Sequence, residues 1–340
     1  MKSLTFTSWL KPILILFLLL IVTMLISLSL GSVRIDLKEI IHILSFQVKE
    51  GTDATILLKV RLPRILNAAI VGGALAISGA VFQALLRNPL ADPYILGISG
   101  GSAFGAIVAI VLGLDIVLGE FSLLPIFAFL GGAITIYIIY SIARSRGKVS
   151  IYSLLLIGVI FNAFFAALIM FITSIVDFNK VGDIVFWLMG NITSPSFFVL
   201  GVISLYVFIG SLLLFFRAKE FNLICLGEES ASQMGVDLEK TKRITFFAAS
   251  LITGAAVSIA GLIGFVGLIV PHAVRLILGS DHRLLIPSSF LSGAIFLVIA
   301  DMLARNIIAP TEIPVGVITA LCGGPFFLWL LKRNEKRPFF

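Results

Sequence analysis

Very few side chains in this 340-residue sequence could carry out chemistry, and those few suggest charge pairing rather than bond making. Asp301 and Arg305 stand four residues apart, a spacing that lets opposite charges meet on one helix face. Arg61 and Arg64 flank Pro63, whose fixed φ would hold the two cations in a set relation. Glu312 lies just before Pro314. His42, His272 and His282 are scattered, and a lone histidine is more often a hydrogen-bonded structural residue than a ligand. No set of His, Cys or carboxylates has metal-site spacing. No P-loop is present, and no nucleophile is paired with a base. Neither catalysis nor a bound metal or cofactor is expected of this chain.

The other notable stretch is Leu226-Gly-Glu-Glu-Ser-Ala-Ser-Gln-Met-Gly-Val236. Apolar runs flank it, Phe197 to Phe216 before and Ile244 to Leu262 after. Arg217, Lys219, Glu220, Glu228, Glu229, Asp237, Glu239, Lys240, Lys242 and Arg243 lie between those runs, with Leu226, Met234, Val236 and Leu238 interspersed. The pattern reads as a short helix, a left-handed glycine stop at Gly235 and a second short segment. Composition alone leaves two readings open. One is a two-faced element that a soluble partner pushes against, and the other is an ordinary cytoplasmic loop.

These residues must be positioned by a membrane bundle. Hydrophobic residues make up 59% of the chain and charged residues only 13%, more apolar surface than a soluble domain of this length could bury. The apolar runs are continuous rather than alternating, which argues against a β-barrel. The expected fold is an all-α polytopic membrane protein, one transmembrane domain over 1–340 with about ten transmembrane helices. The first covers Pro12 to Leu30 and reads as a retained helix rather than a signal peptide. After a polar outer loop over 31–60, Arg61-Leu-Pro-Arg64 opens a second span at Ile65 to Leu86. Asp92 caps a third, with Pro93 at its first position, running to Gly113. The fourth and fifth are Phe121 to Ala143 and Ile151 to Ser174, and a short helix near Gly182 to Gly190 follows. The sixth and seventh are the runs flanking the polar stretch, which with its margins forms a loop over 217–243. Leu268 to Leu278 is a short eighth, Leu285 to Ala304 the ninth and Pro314 to Leu331 the tenth.

Ten helices place both ends on one side. That side carries 17 of the lysines and arginines against 8 on the other, so both termini and the 217–243 loop are expected in the cytoplasm. The net charge of +7 is then a topology signal, and no nucleic acid is implied. Gly97, Gly101 and Gly105, and Gly72, Ala76 and Ala80, recur at helix-packing spacing and predict a tightly packed bundle. No row of acidic residues or histidines crosses the bilayer centre, which weakens the rival reading as an ion-coupled secondary transporter.

Several stretches together resemble one known family. They are Arg61-Leu-Pro-Arg64, Gly73-Ala-Leu-Ala-Ile-Ser-Gly79, Arg87-Asn-Pro-Leu-Ala-Asp-Pro-Tyr-Ile-Leu-Gly-Ile-Ser99, Leu226-Gly-Glu-Glu229, Gly264-Phe-Val-Gly-Leu-Ile-Val-Pro-His272, Asp281-His-Arg283, Ala300-Asp-Met-Leu-Ala-Arg305 and Pro314-Val-Gly-Val317. In that order they resemble the FecCD-type permeases, the membrane subunits of ABC importers for iron–siderophores, haem and vitamin B12. The resemblance implies a type II importer, with a ferric siderophore as the first expectation and haem or cobalamin as the alternatives. It implies a second permease subunit, homo- or heteromeric, two cytoplasmic ATPase subunits and an extracytoplasmic substrate-binding protein. By the same resemblance, Gly227, Glu228, Glu229, Ala231 and Gly235 form the ATPase-coupling loop. Arg61, Arg64 and Arg305 would dock carboxylates of the binding protein, where arginines snorkelling toward the interface are the other reading. The path would run between two permeases, lined by the fifth and tenth helices and the short helix before the sixth. Asn162, Ser153, Thr173, Ser174 and Thr319 are the few polar residues on those helices.

Overall fold

The computed structural model describes residues 6–31, 35–45, 51–114, 116–118, 121–145 and 148–334. Of the basic residues used to orient the chain, Lys2, Arg34, Lys49, Arg146, Lys336 and Arg337 lie outside these. The described residues form a helical bundle with two minimal hairpins. Seven helices are long and apolar enough to cross a membrane, and three shorter apolar segments, Ile98–Val111, Val266–Leu278 and Val315–Leu328, accompany them. The third span expected from sequence is therefore short, like the eighth, whereas the tenth forms a helix over Val315–Asn334.

The chain begins with α1 (Phe6–Ser29) and the amphipathic α2 (Leu37–Leu44), where the Asp36 carboxylate accepts from the Leu37 amide at 2.7 Å. The centre of the bundle is α3, which runs unbroken over Thr52–Leu85. Sequence placed its start at Ile65, but the helix begins thirteen residues earlier, inside the expected outer loop. Pro63 is the reason that this was hidden. It lacks the N–H that an α-helix would direct to the carbonyl four residues back. A wide π-helical stretch, Ile56–Arg61, precedes it and absorbs the mismatch, with the Leu62 amide reaching back to the Leu57 carbonyl. From Ile65 to Leu85 almost every residue of α3 is buried.

Asp92 caps as expected, accepting from the Tyr94 amide at 2.8 Å, but the helix it starts is a single 3-10 turn, Pro93–Leu96. Gly97 then turns left-handed at φ +84°, and α4 (Ile98–Val111) follows. A hairpin of β1 (Val117–Leu118) and β2 (Phe121–Ser122) leads to α5 (Leu123–Ala143). A second hairpin, β3 (Arg144–Ser145) and β4 (Lys148–Val149), leads to α6 (Ile151–Ile175). The short α7 (Phe178–Leu188) and α8 (Phe197–Phe216) come next. The polar loop folds as α9 (Ala218–Ile224) and α10 (Glu228–Gln233). Helices α11 (Leu238–Ala260), α12 (Val266–Leu278), α13 (His282–Asn306) and α14 (Val315–Asn334) complete the chain.

Helices α11, α12 and α13 pack around α3, and α4 packs against α5. Glycine permits close approach at several of these contacts. A Cβ on Gly72 would lie 2.2 Å from the Gly293 carbonyl oxygen, and one on Gly293 would lie 2.3 Å from that of Gly72. The expected stripe on α4 packs through Gly101 and Gly105 against α5, while Gly97 serves instead as the left-handed break.

Two broken spans meet inside the bundle, where exposed backbone polar groups have no water to satisfy them. Tyr94 resolves part of this. Its hydroxyl donates to the Ile263 carbonyl at 3.0 Å and accepts from the Ile263 amide at 2.9 Å. Its own carbonyl accepts from Asn162 Nδ2 at 2.8 Å. The 3-10 turn and the irregular link between α11 and α12 are thereby tied to each other and to α6.

Candidate functional site

The inner end of the bundle is built around α10. Gly227, at φ +125°, turns the chain into the helix, and Gly235, at φ +86°, ends it. Ala231 is the foot of α10 and is fully buried, and the Val236 amide closes back onto its carbonyl at 3.0 Å. The two glutamates of the motif divide. Glu228 turns inward, with Oε2 2.7 Å from Lys242 Nζ. Glu229 is exposed, as are Leu226 and Met234 on either side of it. The five residues expected in the loop thus form one compact element, with a carboxylate and two apolar side chains facing away from the bundle.

Sequence reasoning did not find what holds this element in place. Lys242 is buried on α11, and its ammonium also lies 3.7 Å from Glu239. Glu239 in turn accepts the Val149 amide at 2.9 Å, which joins the α5–α6 hairpin to the start of α11. Arg217 pairs with Glu220 at 2.6 Å, and the Thr241 hydroxyl donates to the same carboxylate. On α9, Asn222 donates to Asp281 at 2.9 Å and accepts from the His282 amide at 2.9 Å. Hydrogen bonds from Arg283, aided by Asn222, hold the Asp281 carboxyl down at about 2. Asp281 is thus the ionised N-cap of α13, where negative charge favours the helix dipole. The charge spacing of Glu228 and Lys242, fourteen residues apart, offers no local signal for their pairing.

At the outer end the three expected arginines do come together, but inside the chain. Arg61, Arg64 and Arg305 are each less than a tenth exposed. Asp301, fully buried, joins two of them, with Oδ1 2.9 Å from Arg64 Nε and Oδ2 3.0 Å from Arg305 Nε. The Asp301–Arg305 pair is the one that their spacing predicted. Arg305 also donates to Ser27 on α1 at 2.8 Å, and Arg61 donates to the Leu28 carbonyl at 2.6 Å. Arg64 reaches Glu312 as well, at 2.8 Å. Helices α1, α3 and α13 and the segment before α14 are fastened by this network. The guanidinium groups do not snorkel outward: burial is affordable here because carboxylates and carbonyls meet them.

The polar residues suggested for a path mostly satisfy backbone. Thr173 donates to Ile169 and Ser174 to Phe171, both at 2.7 Å, and Thr319 donates to Gly316 at 3.0 Å. Asn162 is the Tyr94 partner described above, and the Ser153 amide donates to the Ser150 cap at 3.3 Å. What α6 exposes is mostly apolar, including Tyr152, Leu156, Ile160, Phe164 and Met170. No group of three or more His, Cys, Asp or Glu able to hold a metal occurs among the described residues.

Comparison with known proteins agrees with this architecture. The cobalamin import system permease protein BtuC of Halobacterium salinarum is 45% identical over 294 residues, covering 86% of this chain and 78% of that one. The hemin transport system permease protein HmuU of Yersinia pestis is 40% identical over 282 residues, covering 82% and 84%. A solved structure described as an inward-facing conformation of a metal-chelate type ABC transporter superposes with a TM-score of 0.81 at 34% identity, covering 95% of this chain and 99% of that one. Residues 19–333 match the FecCD transport family, and the chain, an ABC importer permease of the cytoplasmic membrane, belongs to it.

Proposed function

We propose that this permease pairs with a second permease subunit to carry a metal chelate across the membrane, driven by two ATPase subunits that dock on α10. The observation that carries the reading is the division of the glutamates. Glu228 is held by Lys242 within the chain, while Glu229 stands exposed beside Leu226 and Met234. A short helix that is internally braced and externally apolar with one charge suits a partner that moves it as a rigid body. The apolar outer face of α6 suits a second permease, and the arginine network at the other end is assigned to docking of the binding protein. A ferric siderophore is the cargo that the motif resemblance puts first, and cobalamin and haem are its alternatives.

Uptake of a labelled ferric siderophore, cobalamin and haem by cells with and without this gene decides among them. ATP-dependent uptake that persists with an uncoupler at held ATP is expected for one of the three. Loss of none, or uptake that follows the ion gradient, would remove the importer reading. In the same cells Glu229→Arg is expected to lower ATPase co-purification and uptake by roughly tenfold or more, since each 1.4 kcal/mol of lost interface energy is a factor of ten. The exposed position leaves the bundle intact. Full uptake with full co-purification would take Glu229 out of the interface.

A further inference from the structure

The outer network contains one member that fastening alone does not explain. Arg64 gives Nε to Asp301 at 2.9 Å and Nη1 to Glu312 at 2.8 Å, while its Nη2 is buried with no hydrogen-bond partner among the described residues. The two carboxylates differ in kind. Asp301 is fully buried and bridges two arginines, whereas the Glu312 side chain is 44% exposed and, among the described residues, pairs with Arg64 alone. Glu312 lies in the connection between α13 and α14, where the Ile313 amide donates to the Ala304 carbonyl at 3.1 Å. Pro314 then leads into α14.

A guanidinium offers five N–H donors in a planar fork, and a carboxylate satisfies it best with two parallel bonds. Glu312 bonds Nη1 and leaves Nη2 without a partner among the described residues. A second carboxylate that took the place of Glu312 could bond Nη1 and Nη2 together. Replacing one carboxylate with another keeps the charge on Arg64 balanced throughout, so the exchange avoids the cost of an unpaired buried cation.

We propose that Glu312 is an internal stand-in for a carboxylate of the binding protein. It closes the Arg64 fork while the permease is undocked, and an aspartate or glutamate of the binding protein displaces it on docking. This rests on the docking reading of Arg64 given above. Displacement frees the short segment that enters α14, so contact at the outer face is registered at the start of that helix. The exchange also lowers the apparent affinity of docking, because the competent state is reached only when Glu312 lets go.

The test uses the assembled permease–ATPase complex in nanodiscs and the substrate-binding protein of the same importer, with affinity followed by surface plasmon resonance at low and high salt. Glu312→Gln and Glu312→Asp are both expected to tighten binding about threefold, the scale of one partly exposed ion pair. Aspartate keeps the charge but is one methylene short of Arg64, so it separates exchange from bulk electrostatics. If Glu312→Asp binds like the unmodified chain while Glu312→Gln binds more tightly, only the charge matters and the exchange is overturned. Unchanged or weaker binding in both variants overturns it as well. Failure of the unmodified complex to bind, or binding insensitive to salt, removes the docking reading itself. Because the expected result is a gain of affinity, misfolding cannot imitate it.

Discussion

Asp301→Leu is expected to destabilise the permease by about 3–5 kcal/mol, the cost of removing one partner from a buried ion-pair network. Asp301 is fully buried and is the shared partner of Arg64 and Arg305, so its loss takes a carboxylate from both cations and leaves Arg305 with none among the described residues. Glu312 remains for Arg64, but it is partly exposed and does not contact Arg305. In detergent the melting temperature of the complex should fall by roughly 5–10 °C. The combination Arg64→Met, Asp301→Leu, Arg305→Met should recover most of that loss, because well-packed apolar replacements of a whole buried network are often neutral. The recovered protein should still fail to bind the binding protein. Melting within about 1 °C of the unmodified chain for Asp301→Leu alone would mean that the arginines find water or other partners, and that the network does not hold the outer end.

Gly79→Val is expected to prevent accumulation of folded permease. A Cβ at this position would lie 1.8 Å from the Gly267 carbonyl oxygen and 2.6 Å from its Cα, so the obstruction is backbone rather than a movable side chain. The contact joins α3 to α12, and Gln83 on the next turns of α3 reaches the Gly267 and Leu268 carbonyls at 3.3 Å. Separating the helices would break those bonds in addition to the packing. Forcing extra methyl groups into such a contact costs about 1–3 kcal/mol or more, and membrane helices rely on close packing because lipid gives them no hydrophobic drive to associate. Gly201→Val is the matched control, since nothing lies within 4 Å of a Cβ there. The yield of monodisperse protein from gel filtration compares the two. Equal yields would show that α12 can move away from α3 without penalty.

Some of this architecture is legible in the residues because local signals decide it. Ser196 caps and Arg217 ends α8, and the apolar run between them becomes a helix with the expected bounds, Phe197–Phe216. The end of α10 follows from the left-handed stop at Gly235, at φ +86°. The Asp301–Arg305 pair follows from helical spacing. Other features depend on distant partners and leave no local trace. The start of α3 at Thr52 is hidden by Pro63, because an isolated proline reads as a helix entrance. The short α4 follows from the left-handed Gly97, and glycine spacing there reads equally well as a packing stripe. Basic residues near a helix end read as interfacial, and only the folded chain places Asp301 between Arg64 and Arg305. The inner brace is harder still, since its members come from the α5–α6 hairpin, α10 and α11.

That brace sets how a small push could be geared. Val149 lies two residues before α6, and Glu239 and Lys242 link it to Glu228 on α10. While those contacts hold, α10 and the foot of α6 move as one block along the membrane surface. Helix α6 has 25 residues, about 37 Å at 1.5 Å per residue. Moving the foot of such a rod by about 2 Å with its far end held is a tilt of only about 3°. A displacement no larger than a side-chain contact thus swings the whole of α6, with the largest travel at the cytoplasmic end and almost none outside.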